Sequence, residues 1–241
     1  GWTAALYEPY ADQPDERGII VTDPQELREG IVEAHRRGLR PVTHAIGDRA
    51  IDLVLDAIEE ALQARPDPDH RMSIEHCSIP TAAAIDRIER LGVMPSSSVG
   101  FIYELGAAHI IGLGADRLDL YFPHRTYCDQ GIIAVGNSDW SVTSADICQQ
   151  LYSVVNRKTY TGEVLAPHQA LTAREALELY TVNGAYASFE EHAKGRLVPG
   201  MLADMTVLDR DPLAIAPEAL IDMQVNATIV GGEIVYARPG L

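Results

Sequence analysis

Apolar positions recur along the chain in two alternating rhythms. Residues 24–37 carry Leu27, Ile31 and Ala34 at helical spacing, behind Asp23 as an N-cap and Pro24 in the first turn. Glu26 stands three residues after that cap, and Gly38 supplies a stop. The stretch RPVTHA, 40–45, then reads as a strand, and 49–64 as a helix with Ile51, Leu55, Ile58 and Leu62 on one face. The cycle repeats. RMSIEH, 71–76, is a strand, and Thr81 caps a helix bearing Ile85, Ile88 and Leu91. GVMPSSSV, 92–99, is a third strand despite Pro95, and GIIAVGNSD, 131–139, is a fourth. Between them, residues 100–130 form a longer connection with short helices. SADICQQLYSVV and TAREALELYTVNGA are helices, the second opening on a T-x-x-E box at Thr172 and Glu175.

This alternation predicts an α/β fold with parallel strands and right-handed crossovers. From about Gly195 the texture changes to turn-separated β segments without long helices. The predicted division is therefore a βα domain over 1–194 and a small β appendage over 195–241. A chain of 241 residues suits that organisation.

Charge and composition exclude some functions. The net charge of −16 argues against nucleic acid, whose partners carry a basic face. No apolar run approaches the roughly eighteen residues of a membrane helix. Residues 1–20 show no secretory leader, so the expected location is cytoplasmic, away from membranes. Cys77, Cys128 and Cys148 form no C-x-x-C pair, which fits a reducing compartment.

Candidate chemistry sits at strand ends, where parallel βα units collect functional groups on one face. His44, His76 and Asp139 each occupy such a position, and imidazole and carboxylate suit zinc and similar ions. Any one of them alone has an ordinary reading as a hydrogen-bonded or capping residue; three together point to a metal. Gly47 permits a tight strand-to-helix turn, and Cys77 should point to the core by strand alternation. Asp48 reads first as a helix N-cap and second as a support for His44 or its loop. Glu75 reads as a second-layer partner of the ligands, and Trp140 as a pocket wall or a packing residue. His35, His70, His109, His168 and His192 read as structural or solvent-facing.

Several stretches resemble the metal-dependent amidohydrolase superfamily, within the amidohydrolase family 3 group of YtcJ-like and N-substituted formamide deformylase-like proteins. THAIGDRAIDLVLDAIEEA resembles the family's fifth-strand histidine and following helix, and SIEHC its sixth-strand histidine. AVGNSDWSV resembles the eighth-strand aspartate segment, with Ser138 and Asp139 as its Ser-Asp pair. ALTAREALELYTVNGAYA with GRLVPGMLADMTVLDRDP resembles the passage from the last barrel helix into a β-sandwich, and VNATIVGGEIVY the closing strands. In YFPHRTYCDQG the family usually carries an arginine; Arg125 then binds a substrate oxygen or makes a structural salt bridge.

The resemblance implies strands five to eight of a TIM (β/α)8 barrel plus part of a small β-sandwich. It implies hydrolysis of an amide, formamide, carbamate or cyclic amide of a small-molecule substrate, with one or two divalent ions, zinc first. His44 and His76 would hold the metal with Asp139, and Asp139 would also move the proton from water to the leaving amine. The family's first-strand H-x-H pair is missing, and the first lysine, Lys158, lies too late to bridge two metals. The chain is therefore expected to carry part of the site, completed by the N-terminal half of the barrel or by a second copy. The alternative is an inactive remnant that serves as a structural or interaction module. A metal-free lyase or isomerase ranks last, for want of a lysine or a phosphate-binding loop.

Overall fold

A computed structural model describes residues 3–240. Its centre is a parallel sheet of β1 (Val42–Ala45), β2 (Ser73–His76), β3 (Met94–Ser98) and β4 (Val135–Asn137), in the order β1-β2-β3-β4. The four strands are those the pattern predicts, each shorter than its apolar run. Helix α1 (Pro24–Arg36) leads into β1, and α2 (Asp48–Ala64) and α3 (Ala82–Leu91) supply the crossovers from β1 to β2 and from β2 to β3.

The two faces of the sheet differ. Parallel partners share a face, so the pairs Thr43↔Ile74 and Ala45↔His76 alternate with Val42↔Ser73 and His44↔Glu75. The face bearing Ile74 and Ala45 packs beneath α2, where Ile51, Val54, Leu55 and Ile58 are buried with Met72 and Cys77. The other face carries Val42, His44, Ser73, Glu75, Ser96 and Ser98. That face also takes Met94 and Val135, is polar mainly toward the strand ends, and leaves Val42 48% exposed.

The helix caps follow local chemistry. Asp23 accepts from the amides of Gln25 and Glu26, and Thr81 from that of Ala84. Asp48 is not the cap of its helix. Gly47 occupies that position, and Asp48 is the first helical residue. Its carboxylate instead accepts from the amide of Tyr7 at 3.0 Å and from that of Arg49 at 2.7 Å. Gly47 also departs from its expected reason. Its φ of −83° suits any residue, but a Cβ would collide with the carbonyl of Ala5. The N-terminal segment therefore crosses directly over the β1–α2 turn, with Leu6 and Tyr10 buried against Phe101, Tyr121 and Phe122.

The connection after β3 holds α4 (Gly100–Glu104), α5 (Gly106–Leu113) and α6 (His124–Asp129). After β4 come α7 (Ile147–Asn156), α8 (Ala173–Tyr180) and α9 (Val182–Ala187). The single helix predicted for 172–185 is thus two, because Thr181 leaves helical geometry at φ −118° and ψ −89°. The T-x-x-E box forms in full at Thr172 and Glu175. Glu175 is also bound by Arg125 of α6, 2.8 Å from Nη1, which joins α6 to α8.

The final segment forms an antiparallel sheet of β5 (Met205–Leu208), β6 (Val225–Val230) and β7 (Glu233–Ala237). Before β6, a short 3-10 turn places Leu220 and Met223 in the core around Leu151 and Val154 of α7. No helix among the described residues is long and apolar enough to cross a membrane.

Two outcomes follow. The Arg125 guanidinium beside Glu175 lowers that carboxyl from 4.5 to about 2. A depressed carboxyl stabilises the fold above its unfolded value and loses that contribution as pH falls. Glu175→Gln should cost about 1–3 kcal/mol in urea unfolding at pH 7. The gap between variant and wild type should close between pH 4.5 and pH 2. Separately, Gly47→Ala should raise hydrogen exchange at the amides of Leu6 and Tyr10 at least about tenfold, leaving β2 and α2 protected.

Candidate functional site

The site is built where β1, β2 and β4 end. His44 stands on the polar face one residue before the end of β1. Strand alternation alone would send His76 to the opposite face, beside Ala45. It does not go there, because its backbone is left-handed, with φ 69°, followed by Cys77 at 44°. Histidine tolerates that region better than branched residues do. The turn swings the His76 ring against that of His44, with centroids 4.4 Å apart and planes at 73°. Cys77 stays in the core under α2.

His76 is buried and held on two further sides. Phe101 of α4 stacks on it at 5.6 Å, with planes at 20°. Its Nδ1 lies 2.8 Å from Oγ of Ser98, at the end of β3. Burial, then the neighbouring His44, lowers its pKa from 6.5 to about 4, and Asp139 opposes that shift. The imidazole is therefore neutral at physiological pH, the form that binds metals.

Asp139 follows β4 and also adopts left-handed backbone, φ 51°. Left-handed non-glycine residues thus end both β2 and β4 at the same face, as strained backbone often does at functional sites. Trp140 beside it is 76% exposed and turned to solvent. Among the described residues, no group of three His, Cys, Asp or Glu side chains is arranged to hold a metal ion. The two histidines meet; Asp139 stands near them without closing a three-ligand cluster.

The other candidates lie elsewhere. The Arg125 guanidinium is engaged by Glu175, with Asp129 a further 3.3 Å from Nη1. This is the salt-bridge alternative of its two readings. Glu75, the register partner of His44, has its carboxylate engaged by Ser96 at 2.7 Å. Asp48 steadies the N-terminal segment through Tyr7 rather than His44.

Phe101 and Ser98, which the pattern does not single out, complete the surroundings with His109, one of the histidines read as structural or solvent-facing. His109 of α5 packs on Phe101 at 6.3 Å and bonds Tyr121 Oη at 2.6 Å. Only the run of three serines in β3 signalled Ser98, as polar residues where a buried strand calls for apolar ones.

Residues 1–236 match the model of the amidohydrolase family. The chain is 32% identical over 241 residues to the putative amidohydrolase YtcJ of Bacillus subtilis (strain 168), covering 99% of this chain and 45% of that protein. It is 32% identical over 216 residues to N-substituted formamide deformylase of Arthrobacter pascens, covering 89% and 40%. An uncharacterized metal-dependent hydrolase from Pyrococcus furiosus superposes with a TM-score of 0.75 at 32% identity, over 88% of this chain and 42% of that one. The chain thus spans less than half the length of the curated relatives it matches. With its parallel sheet, its paired strand-end histidines and a match along nearly its whole length, the chain belongs to the amidohydrolase family.

Proposed function

We propose that this chain carries part of the active site of a metal-dependent hydrolase acting on C–N bonds of small amides, formamides, carbamates or cyclic amides. The observation that carries the reading is the meeting of His44 and His76, from adjacent strand ends, with ring centroids 4.4 Å apart. Two imidazoles at that separation fit two positions in the coordination shell of a divalent ion, zinc first among them. The resemblance to a metal-dependent hydrolase and to a formamide deformylase supports the same class. Such an ion supplies activation of water and polarisation of the carbonyl.

In this reading His44 and His76 hold the ion. Asp139 takes the proton of the attacking water and passes it to the leaving nitrogen. Phe101 covers the inner side of His76 and keeps bulk water from it. Trp140 forms a wall of the substrate entrance, where its exposed ring is free to lie against an apolar substituent.

The remaining ligands come from outside these four strands. In this reading β1–β4 are strands five to eight of a (β/α)8 barrel. The outer strands β1 and β4 present open edges, and the polar face beside Val42 awaits the rest of the barrel wall. The other half of the barrel, or a second copy, supplies those donors. The lack of a three-ligand cluster among the described residues favours a second reading, a structural module without catalysis.

Zinc titration separates the two. Protein exchanged with zinc and dialysed should retain the ion by elemental mass spectrometry. His44→Ala and His76→Ala should each weaken zinc binding by more than about 100-fold. Zinc retention unchanged in both variants would sink the hydrolase reading at this site. In the assembled barrel, Asp139→Asn should lower kcat for an N-substituted formamide by about 10²–10⁴.

A further inference from the structure

The contact of His76 with Ser98 is the first link of a longer chain across the polar face of the sheet. Ser98 Oγ donates to Oδ1 of Asn137 at 2.7 Å. The amide of Asn137 donates through Nδ2 to the carbonyl of Ser96 at 3.1 Å and to Ser96 Oγ at 3.0 Å. Ser96 Oγ in turn donates to the Glu75 carboxylate at 2.7 Å. Ser73 Oγ stands 3.4 Å from the other Glu75 oxygen.

The direction of every link is determined. A backbone carbonyl and a carboxylate accept only. The Ser96 carbonyl therefore fixes which end of the Asn137 amide carries hydrogen, and its oxygen must face Ser98. The Ser98 hydroxyl owns one proton, and Asn137 takes it. What remains for His76 Nδ1 is a lone pair on Ser98, so Nδ1 must be the donor. A neutral imidazole with its proton on Nδ1 keeps its lone pair on Nε2.

We propose that Asn137 and Ser98 are positioning residues that lock His76 in the Nδ1–H tautomer and so present Nε2 to a metal. The use of that lone pair rests on the hydrolase reading above; the tautomer itself does not. The Ser96 carbonyl sets the polarity of the chain at Asn137, and Glu75 is its terminal acceptor, separated from His76 by three residues. Metal-bound imidazoles commonly donate their second nitrogen directly to a carboxylate or carbonyl. Here the acceptor is a hydroxyl, and a side-chain amide on β4 dictates which way that hydroxyl points.

Loss of the amide oxygen frees the Ser98 proton to turn toward His76. Asn137→Leu should therefore reverse the tautomer, whereas Asn137→Asp, which retains an oxygen facing Ser98, should preserve it. The test is long-range ¹H–¹⁵N correlation of histidine-labelled, metal-free chain at pH 8, with His76→Asn used to assign the His76 ring. The expected result is a protonated Nδ1 and an unprotonated Nε2 in wild type and Asn137→Asp, with the opposite pattern in Asn137→Leu. Zinc affinity should fall about 10–100-fold in Asn137→Leu and recover in Asn137→Asp. A wild-type His76 protonated on Nε2 overturns the proposal whether or not any variant folds. An unchanged tautomer in folded Asn137→Leu overturns the role of Asn137. If wild type shows the Nδ1–H form yet binds no zinc, the tautomer lock stands and the hydrolase reading fails.

Discussion

Parallel pairing of β1 with β2, in the register His44↔Glu75 and Ala45↔His76, is the constraint on which the site depends. In a regular pleat this register would separate the two histidines onto opposite faces. The left-handed residue at the end of β2 reverses that consequence. It takes His76 out of the pleat and sets its ring on that of His44, while Cys77 continues into the core. Buried contacts hold the unusual backbone in place: Phe101 over the ring, Ser98 at Nδ1 and the helix-side core around Cys77. Strained backbone persists where surrounding structure over-determines it, and here it brings two imidazoles together.

The sheet divides its labour between its faces. Beneath α2, fully buried Ile51, Leu55, Ile58, Met72 and Ile74 provide the hydrophobic stabilisation. The opposite face holds serines, Asn137, Glu75 and His44, an arrangement that stabilises little through burial. Its cost is contained because Ser96, Ser98, Asn137 and Glu75 bond to one another in a connected series. Polar groups that bond to one another in this way avoid the cost of unpaired burial.

Two peripheral segments tie into this centre. The N-terminal stretch runs over the β1–α2 turn so closely that Gly47 must lack a side chain, and Tyr7 is held by Asp48 and Asp52. At the other end, Leu220 and Met223 bury against α7 and join the antiparallel sheet to the βα core. Arg125 works on the outside of this core, bound to the capping box of α8 through Glu175.

Much of the frame was legible in the sequence because local rules decide it. Strand and helix periods placed β1–β4 and α1–α3, and side-chain caps marked Asp23, Thr81 and Thr172. The strand-end positions of His44, His76 and Asp139 were legible for the same reason. What the pattern misassigned turned on contacts distant in sequence. Asp48 looked like a cap, but Tyr7, forty-one residues earlier, claims its carboxylate. Gly47 looked like a turn glycine, but the backbone of Ala5 decides it. The direction of the His76 ring depends on one residue's φ, which hydrophobic periodicity does not encode. Ser98 and Asn137, thirty-nine residues apart, become neighbours only when β3 pairs with β4. Sequence alone determined the elements and the candidate ligand residues; tertiary structure decided which of them face one another, because strand register and a single left-handed turn set side-chain direction.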